Sequence, residues 1–175
     1  MRPYEISRQT PGGETIEELF TALESPLLAY ALRYTGTREL AEDIVQEAFI
    51  AATRHIGNLR DDSKFGSWLF GIAHQKCIQR WRKQDRESAA LEEISAEPES
   101  FENDPGELLV RREQEEAFMK LLNQLAPAHR SVLLLHFLED FSLEEIARIT
   151  GSTLGTVKSR MHYAKKSLRK LMETQ

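Results

Sequence analysis

The stretch from Phe141 to Leu171, FSLEEIARITGSTLGTVKSRMHYAKKSLRKL, leaves this chain the fewest alternatives. Ser142 followed three residues on by Glu145 is a capping box, and Leu143, Ile146, Ala147 and Ile149 come after it at helical spacing. Gly151 ends that helix, and Ser152 or Thr153 can cap the next. Leu154, Val157, Met161, Ala164, Leu168 and Leu171 then form one apolar stripe, with Ser159, His162, Lys166 and Lys170 opposite. A small residue at Ala147, a turn at Gly151 and an apolar Val157 are what two closely crossing helices require, so the spacing predicts a helix-turn-helix. Its second helix carries Lys158, Arg160, Lys165, Lys166, Arg169 and Lys170 with no acid before Glu173, which suits a phosphate-lined major groove. A helical hairpin with a solvated lysine face is the plainer alternative. The cap, the glycine and the packing positions occurring together favour the DNA reader.

The chain has 175 residues, enough for one domain or two small ones, and a formal charge of −5. A nucleic-acid role must therefore rest on how charge is distributed. Cys77 is the single cysteine, which excludes an internal disulfide and a multi-cysteine metal site and fits a reducing cytoplasm. No apolar run reaches membrane-spanning length and no signal-peptide pattern opens the chain, so a cytoplasmic protein with no membrane insertion is expected. Helical periodicity dominates and strand-like alternation is nearly absent. The expected fold class is all-α.

Residues 1–13, with two prolines and a Gly-Gly pair, read as a flexible leader. A helix starts near Thr15 with Ile16, Leu19, Phe20 and Leu23 on one face, and Ser25-Pro26 either kinks it or begins another. Apolar residues continue to Gly36. Thr37 can cap the following helix, whose inner face is Leu40, Ala41, Ile44, Val45, Ala48, Phe49 and Ala52. Its outer face carries Asp43, Gln46, Glu47 and Ile50, by pattern an ordinary solvated face with one stray isoleucine.

The next helix, about Lys64 to Gln84, mixes aromatic and basic residues. Phe65, Trp68, Leu69, Ile72 and Ala73 can pack inward, whereas Phe70, His74, Gln75, Gln79 and Trp81 cannot all share that face. Lys76, Arg80, Arg82, Lys83 and Arg86 crowd its C-terminal half. Two explanations stand side by side: cations favoured by the helix dipole, or a single-strand surface on which rings stack bases and amides read their edges. His74 and Cys77 lie one turn apart but make no zinc site by themselves. Residues 88–107 are acidic and proline-containing, and read as a flexible linker, either a solubilising tether or an occupant of a basic channel in a partner. Beyond it come a helix from Leu108 to Leu125, another from Ala126-Pro127 that is apolar nearly all round, and the helix-turn-helix.

Two helical units, an acidic linker and a terminal helix-turn-helix, with AEDIVQEAFI (41–50), FGSWLFGIAHQ (65–75) and the stretch 141–171 in this order, resemble the bacterial RNA polymerase sigma factors of the extracytoplasmic-function group. The resemblance covers about residues 15–172. It implies a leader at 1–13, a sigma domain 2-like unit at 14–87, a linker at 88–107 and a sigma domain 4-like unit at 108–175.

For the site residues, the resemblance implies that Asp43, Gln46, Glu47 and Ile50 dock on the clamp helices of the polymerase β′ subunit. The segment around Phe70, His74, Gln75, Gln79, Arg80, Arg82 and Lys83 would read and melt the minus-ten element, capturing a flipped non-template base. Lys158, Ser159, His162, Tyr163 and Lys166 would meet the minus-thirty-five element, with Arg160 on the backbone. Gln75 and Gln79 stand where Asn and Asp are common, and His74 where Arg is, so the minus-ten preference is expected to differ from the group's usual one. Implied partners are core RNA polymerase through its β′ and β subunits, promoter DNA and an anti-sigma factor. No cofactor, metal or catalytic residue is expected, because the chain offers no nucleophile-base set and no phosphate loop. Two rivals remain: a stand-alone helix-turn-helix regulator, which would leave the Asp43 strip and the Trp68 to Trp81 surface without a role, and an all-α adaptor.

Overall fold

The computed structural model describes residues 16–56, 59, 61, 64–90 and 117–173, and the leader and most of the acidic linker lie outside them. Every regular element among these residues is helical. Helices α1 (Ile16–Thr35), α2 (Arg38–His55) and α3 (Phe65–Ala90) form a first unit, with each pair in contact. Helix α4, described over 117–123, is followed by α5 (Pro127–Phe137), α6 (Leu143–Thr150) and α7 (Leu154–Glu173) in a second unit.

Helix α1 runs through Pro26 as one element, although the missing amide forfeits a helical hydrogen bond. Its inward residues Leu23, Leu27, Tyr30 and Ala31 are completely buried, and that burial outweighs the lost bond. Gly36 takes a left-handed φ of 79° and turns the chain into α2. Thr37 does stand at the N-cap of α2, but its side chain makes no capping bond, and its hydroxyl is buried without a hydrogen-bond partner. Ala41, Ile44, Val45, Ala48 and Ala52 form the inner face of α2, as the spacing predicts.

The third helix is longer than expected. It continues past Gln84 to Ala90, where no Gly or Pro interrupts a run ending in two strong helix formers, Ala89 and Ala90. Phe65, Leu69, Ala73 and Cys77 face the core, while Trp68 is only half-buried against Phe65.

In the second unit Pro127 occupies the first turn of α5, and Ser131 to Leu135 are all buried. Asp140 adopts a left-handed φ of 54° immediately before α6. The capping box is present in full: Ser142 Oγ accepts from the Glu145 amide at 3.3 Å, and Glu145 Oε2 accepts from the Ser142 amide at 2.8 Å. Gly151, at φ 62°, closes α6, and the Ser152 amide donates back to the Ala147 carbonyl at 2.9 Å. Thr153, rather than Ser152, caps α7 by accepting from the Thr156 amide at 3.2 Å. Val157, Met161 and Ala164 are buried beneath it.

The two units share one continuous buried cluster, because α6 packs on α3 and α5 touches α1.

Candidate nucleic-acid interface

Helix α7 presents the first candidate surface. Lys158, Ser159, His162, Tyr163 and Lys166 are all exposed along one side, with Tyr163 55% exposed despite its ring. The period of the buried stripe forces this, since Val157, Met161 and Ala164 take the inner positions and leave the others outward. His162 and Tyr163 stack edge to face at 5.4 Å. Arg160 departs from that face: half-buried, it donates from Nη1 to Ser152 Oγ at 2.7 Å and so braces the turn. Lys165 also leaves it, lying over the Phe137 ring at 5.1 Å. The outward set can meet phosphates and base edges together.

Helix α3 presents the second, and the structure divides it. Gln75, Gln79, Arg82 and Lys83 are exposed. Phe70 is fully buried, its ring 4.9 Å from Phe141 at the entrance to α6 and 5.7 Å from Tyr30. His74 is 6% exposed and pairs through Nδ1 with the Tyr30 hydroxyl at 2.8 Å. Burial first, and then the positive charge of Arg160, bring the His74 pKa down to about 4, so the ring is neutral at pH 7. Of the seven candidate residues on this helix, four are therefore exposed and two buried, with Arg80 half-buried between them.

The acidic strip on α2 is wired to that same helix. Glu47 accepts from Lys76 at 2.9 Å and from Arg80 at 3.2 Å, and Asp43 lies 3.8 Å from Arg80. The hydrogen bond from Lys76 is the main reason the Glu47 carboxyl titrates below its usual range, with the charges of Lys76 and Arg80 adding to it against partial desolvation. Gln46 is exposed and Ile50 is 46% exposed beside them. Arg80 thus stands between the strip and the exposed cations of α3.

A polar cluster between the units has no counterpart among the expected site residues. Arg130, 6% exposed, donates to the carbonyls of Leu122 at 3.1 Å, Asn123 at 3.1 Å and Tyr34 at 3.3 Å, and lies over the Tyr34 ring. Glu139, 5% exposed, sits 3.7 Å from Arg33. Desolvation carries its pKa up to about 7, the Arg33 charge opposing and Asp140 adding to the rise. The signal was present: a lone arginine inside PAHRSVLLLHFL, apolar nearly all round, has to be buried with partners. Nothing local shows that one partner belongs to α1.

Comparison with known proteins agrees with this layout. The model of Sigma-70 region 2 matches residues 19–87, and that of Sigma-70 region 4 matches residues 115–168. The RNA polymerase sigma factor YlaC of Bacillus subtilis is 29% identical over 160 residues, covering 91% of this chain and 92% of that protein. The ECF RNA polymerase sigma factor SigL of Mycobacterium tuberculosis is 34% identical over 145 residues, covering 82% of this chain and 80% of its own length. Among solved structures, the sigma factor RpoE in complex with the anti-sigma factor NepR from Bartonella quintana superposes with a TM-score of 0.71 at 26% identity, covering 90% of this chain and 96% of that one. Two region matches in order, the second spanning the helix-turn-helix, with relatives similar along most of their length, place this chain in the sigma-70 family of RNA polymerase sigma factors, within its extracytoplasmic-function group.

Proposed function

We infer that this protein is a transcription initiation factor that binds core RNA polymerase, directs it to specific promoters and assists their opening. The observation that carries the reading is the exposed face of α7, where Lys158, Ser159, His162, Tyr163 and Lys166 stand outward on a correctly capped helix-turn-helix. That face meets the minus-thirty-five element, with side chains on base edges and Lys166 toward phosphate. Arg160, engaged with Ser152, acts at the backbone by fixing the turn.

The first unit, residues 14–87, docks on the β′ clamp helices through Asp43, Gln46, Glu47 and Ile50, while the second, residues 108–175, faces the β subunit and DNA. Residues 88–107 join them. An exposed apolar Ile50 among paired carboxylates supports docking, since such a mixture suits a helix partner better than water. Gln75, Gln79, Arg82 and Lys83 contact the minus-ten element from their exposed positions. Phe70 and His74, buried in this structure, join them at the flipped base only once uncovered, and the unstacking is offset by the receiving pocket. Polymerase performs the phosphoryl transfer, and this chain acts by binding. The complex of the relative RpoE with NepR supports control by an anti-sigma factor, and work on polymerase places the protein in the cytoplasm.

Run-off transcription with core polymerase across a genomic library tests the reading. Discrete start sites that depend on this protein are expected. Duplex binding without polymerase, and no dependent transcripts, would establish the stand-alone regulator instead.

A further inference from the structure

We propose that Lys76 and Arg80 on α3 belong to the polymerase-docking face, where they hold the Glu47 and Asp43 carboxylates of α2 in the orientation that docking needs. The inference rests on the docking reading of the α2 strip and adds to it two positioning residues from a neighbouring helix.

Asp43 and Glu47 lie one turn apart on α2, and Lys76 and Arg80 lie one turn apart on α3. Packing of the two helices sets the four charges against one another as a ladder. Lys76 donates to Glu47 Oε2 at 2.9 Å and Arg80 donates from Nη2 to Glu47 Oε1 at 3.2 Å, so each oxygen of that carboxylate is held by its own cation. Arg80 Nη2 also lies 3.8 Å from Asp43 Oδ2. One guanidinium therefore stands between two acids that repel each other at this helical spacing. The Lys76 side chain is only 23% exposed, so its stem lies along the seam of the two helices and its ammonium reaches Glu47 from the α3 side.

A glutamate on an open helix face samples several rotamers, and docking has to freeze one of them. Here the two cations fix it beforehand. A carboxylate offers about four lone-pair sites, and Glu47, its side chain 45% exposed, keeps outer sites for a donor on the partner. Pairing also balances two acids with two cations, so the face beside the exposed Ile50 is close to neutral rather than an acidic patch. Such a face fits a partner helix that carries apolar side chains and a few donors better than it fits a strongly basic surface. Exposed ion pairs of this kind add little to stability, which leaves the orientation of the carboxylates as their main consequence. Arg80, engaged with α2, stands apart from the exposed Gln79 and Arg82 that the minus-ten reading uses.

Equilibrium capture of the full chain by core polymerase, measured without DNA, reads the effect. Lys76→Met should weaken capture on the order of threefold to tenfold through the rotamer freedom returned to Glu47, and Arg80→Met should act in the same direction. Arg86→Met, which removes an exposed cation from a later turn of the same helix, should be captured as wild type is. Melting curves identify a variant that has merely unfolded, and either of the first two suffices if the other does so. The charge-swapped Glu47→Lys with Lys76→Glu restores an ion pair and should restore the melting temperature, but not capture. Recovery of capture in the swapped protein would reduce the pair to a tie between helices and overturn the assignment. Capture tightened in Lys76→Met would overturn it too, since the cation would then be masking the carboxylate. A Glu47→Gln protein captured as well as wild type would sink the docking reading itself. Weakened Glu47→Gln beside unchanged Lys76→Met and Arg80→Met would keep that reading and remove only the positioning role.

Discussion

The two helices offered to DNA, α3 and α7, differ in what stands on them. Both are basic and amphipathic, and both carry aromatic and amide or hydroxyl groups among cations. On α7 the outward face is open along its length, because α5 and α6 cover only the opposite stripe. On α3 three neighbours compete for the surface: α1 and α2 take the core side, where Tyr30 and Tyr34 hold His74, and α6 takes the side of Gly71 while Phe141 ahead of it closes on Phe70. A helix at the edge of a unit keeps its reading face by default. A central helix keeps only what its neighbours leave.

The largest test of that contrast is Arg130→Ala. It removes the donor that the Tyr34 carbonyl on α1 shares with the Leu122 and Asn123 carbonyls on α4, at about 1–3 kcal/mol for a buried acceptor left unsatisfied, and should lower the melting temperature by about 10 °C in calorimetry. Two separate transitions in the variant, where the wild type shows one, would mark Arg130 as the tie between units. A melting temperature within a degree or two of wild type would break the argument that the seam depends on it.

Somewhat smaller effects come from the two buried titrating groups, one in each unit, and their signs oppose. Glu139 has a folded pKa of about 7, above its ordinary value. The folded state therefore holds the extra proton, and stability falls as pH rises from about 4.5 to 7. His74 has a folded pKa of about 4, below its ordinary value. Here the unfolded state holds the extra proton, and stability rises between about pH 4 and 6.5. Each is worth on the order of 3 kcal/mol at most, so the wild type should be nearly flat between pH 4.5 and 6.5. Chemical denaturation of Glu139→Gln should uncover the rise and of His74→Gln the fall. A Glu139→Gln profile superimposable on wild type would show that the carboxyl is hydrated.

On the open helix, Lys158→Ala with His162→Ala should cost promoter-directed transcription roughly tenfold or more, at about 1–3 kcal/mol per base contact, with core-polymerase capture unchanged. Loss of capture instead would move these residues to the polymerase side. The mildest expected change is in Asp43→Lys with Glu47→Lys. Exposed ion pairs contribute at most about 1 kcal/mol to stability, so the fold should persist while capture by core polymerase falls severalfold. Unaltered capture would remove the α2 strip from docking.

Most of the fold was legible because its signals are local. The capping box, Gly151 and the stripe from Leu154 to Leu171 each involve neighbours within a turn or two, and the structure reproduces them. Pro26 was ambiguous for the same reason: whether a helix absorbs a proline depends on how much its far face buries. The end of α3 was misplaced because acidic composition marks a linker only on average, whereas Ala89 and Ala90 favour helix wherever they stand. The separation of the candidate minus-ten residues was not legible at all.

By itself the sequence determined the helices, the inner faces of α2 and α7, the helix-turn-helix and the family, since periodicity, capping and motif order are written in residue types and spacings. Only the tertiary structure decided that Phe70 lies against Phe141 and His74 against Tyr30, that Arg80 is shared with the α2 carboxylates, and that Arg130 caps a helix in each unit. Those facts join residues 33 to 96 positions apart. A side chain's exposure at such a junction is set by what arrives from elsewhere in the chain, and helical spacing carries no record of it.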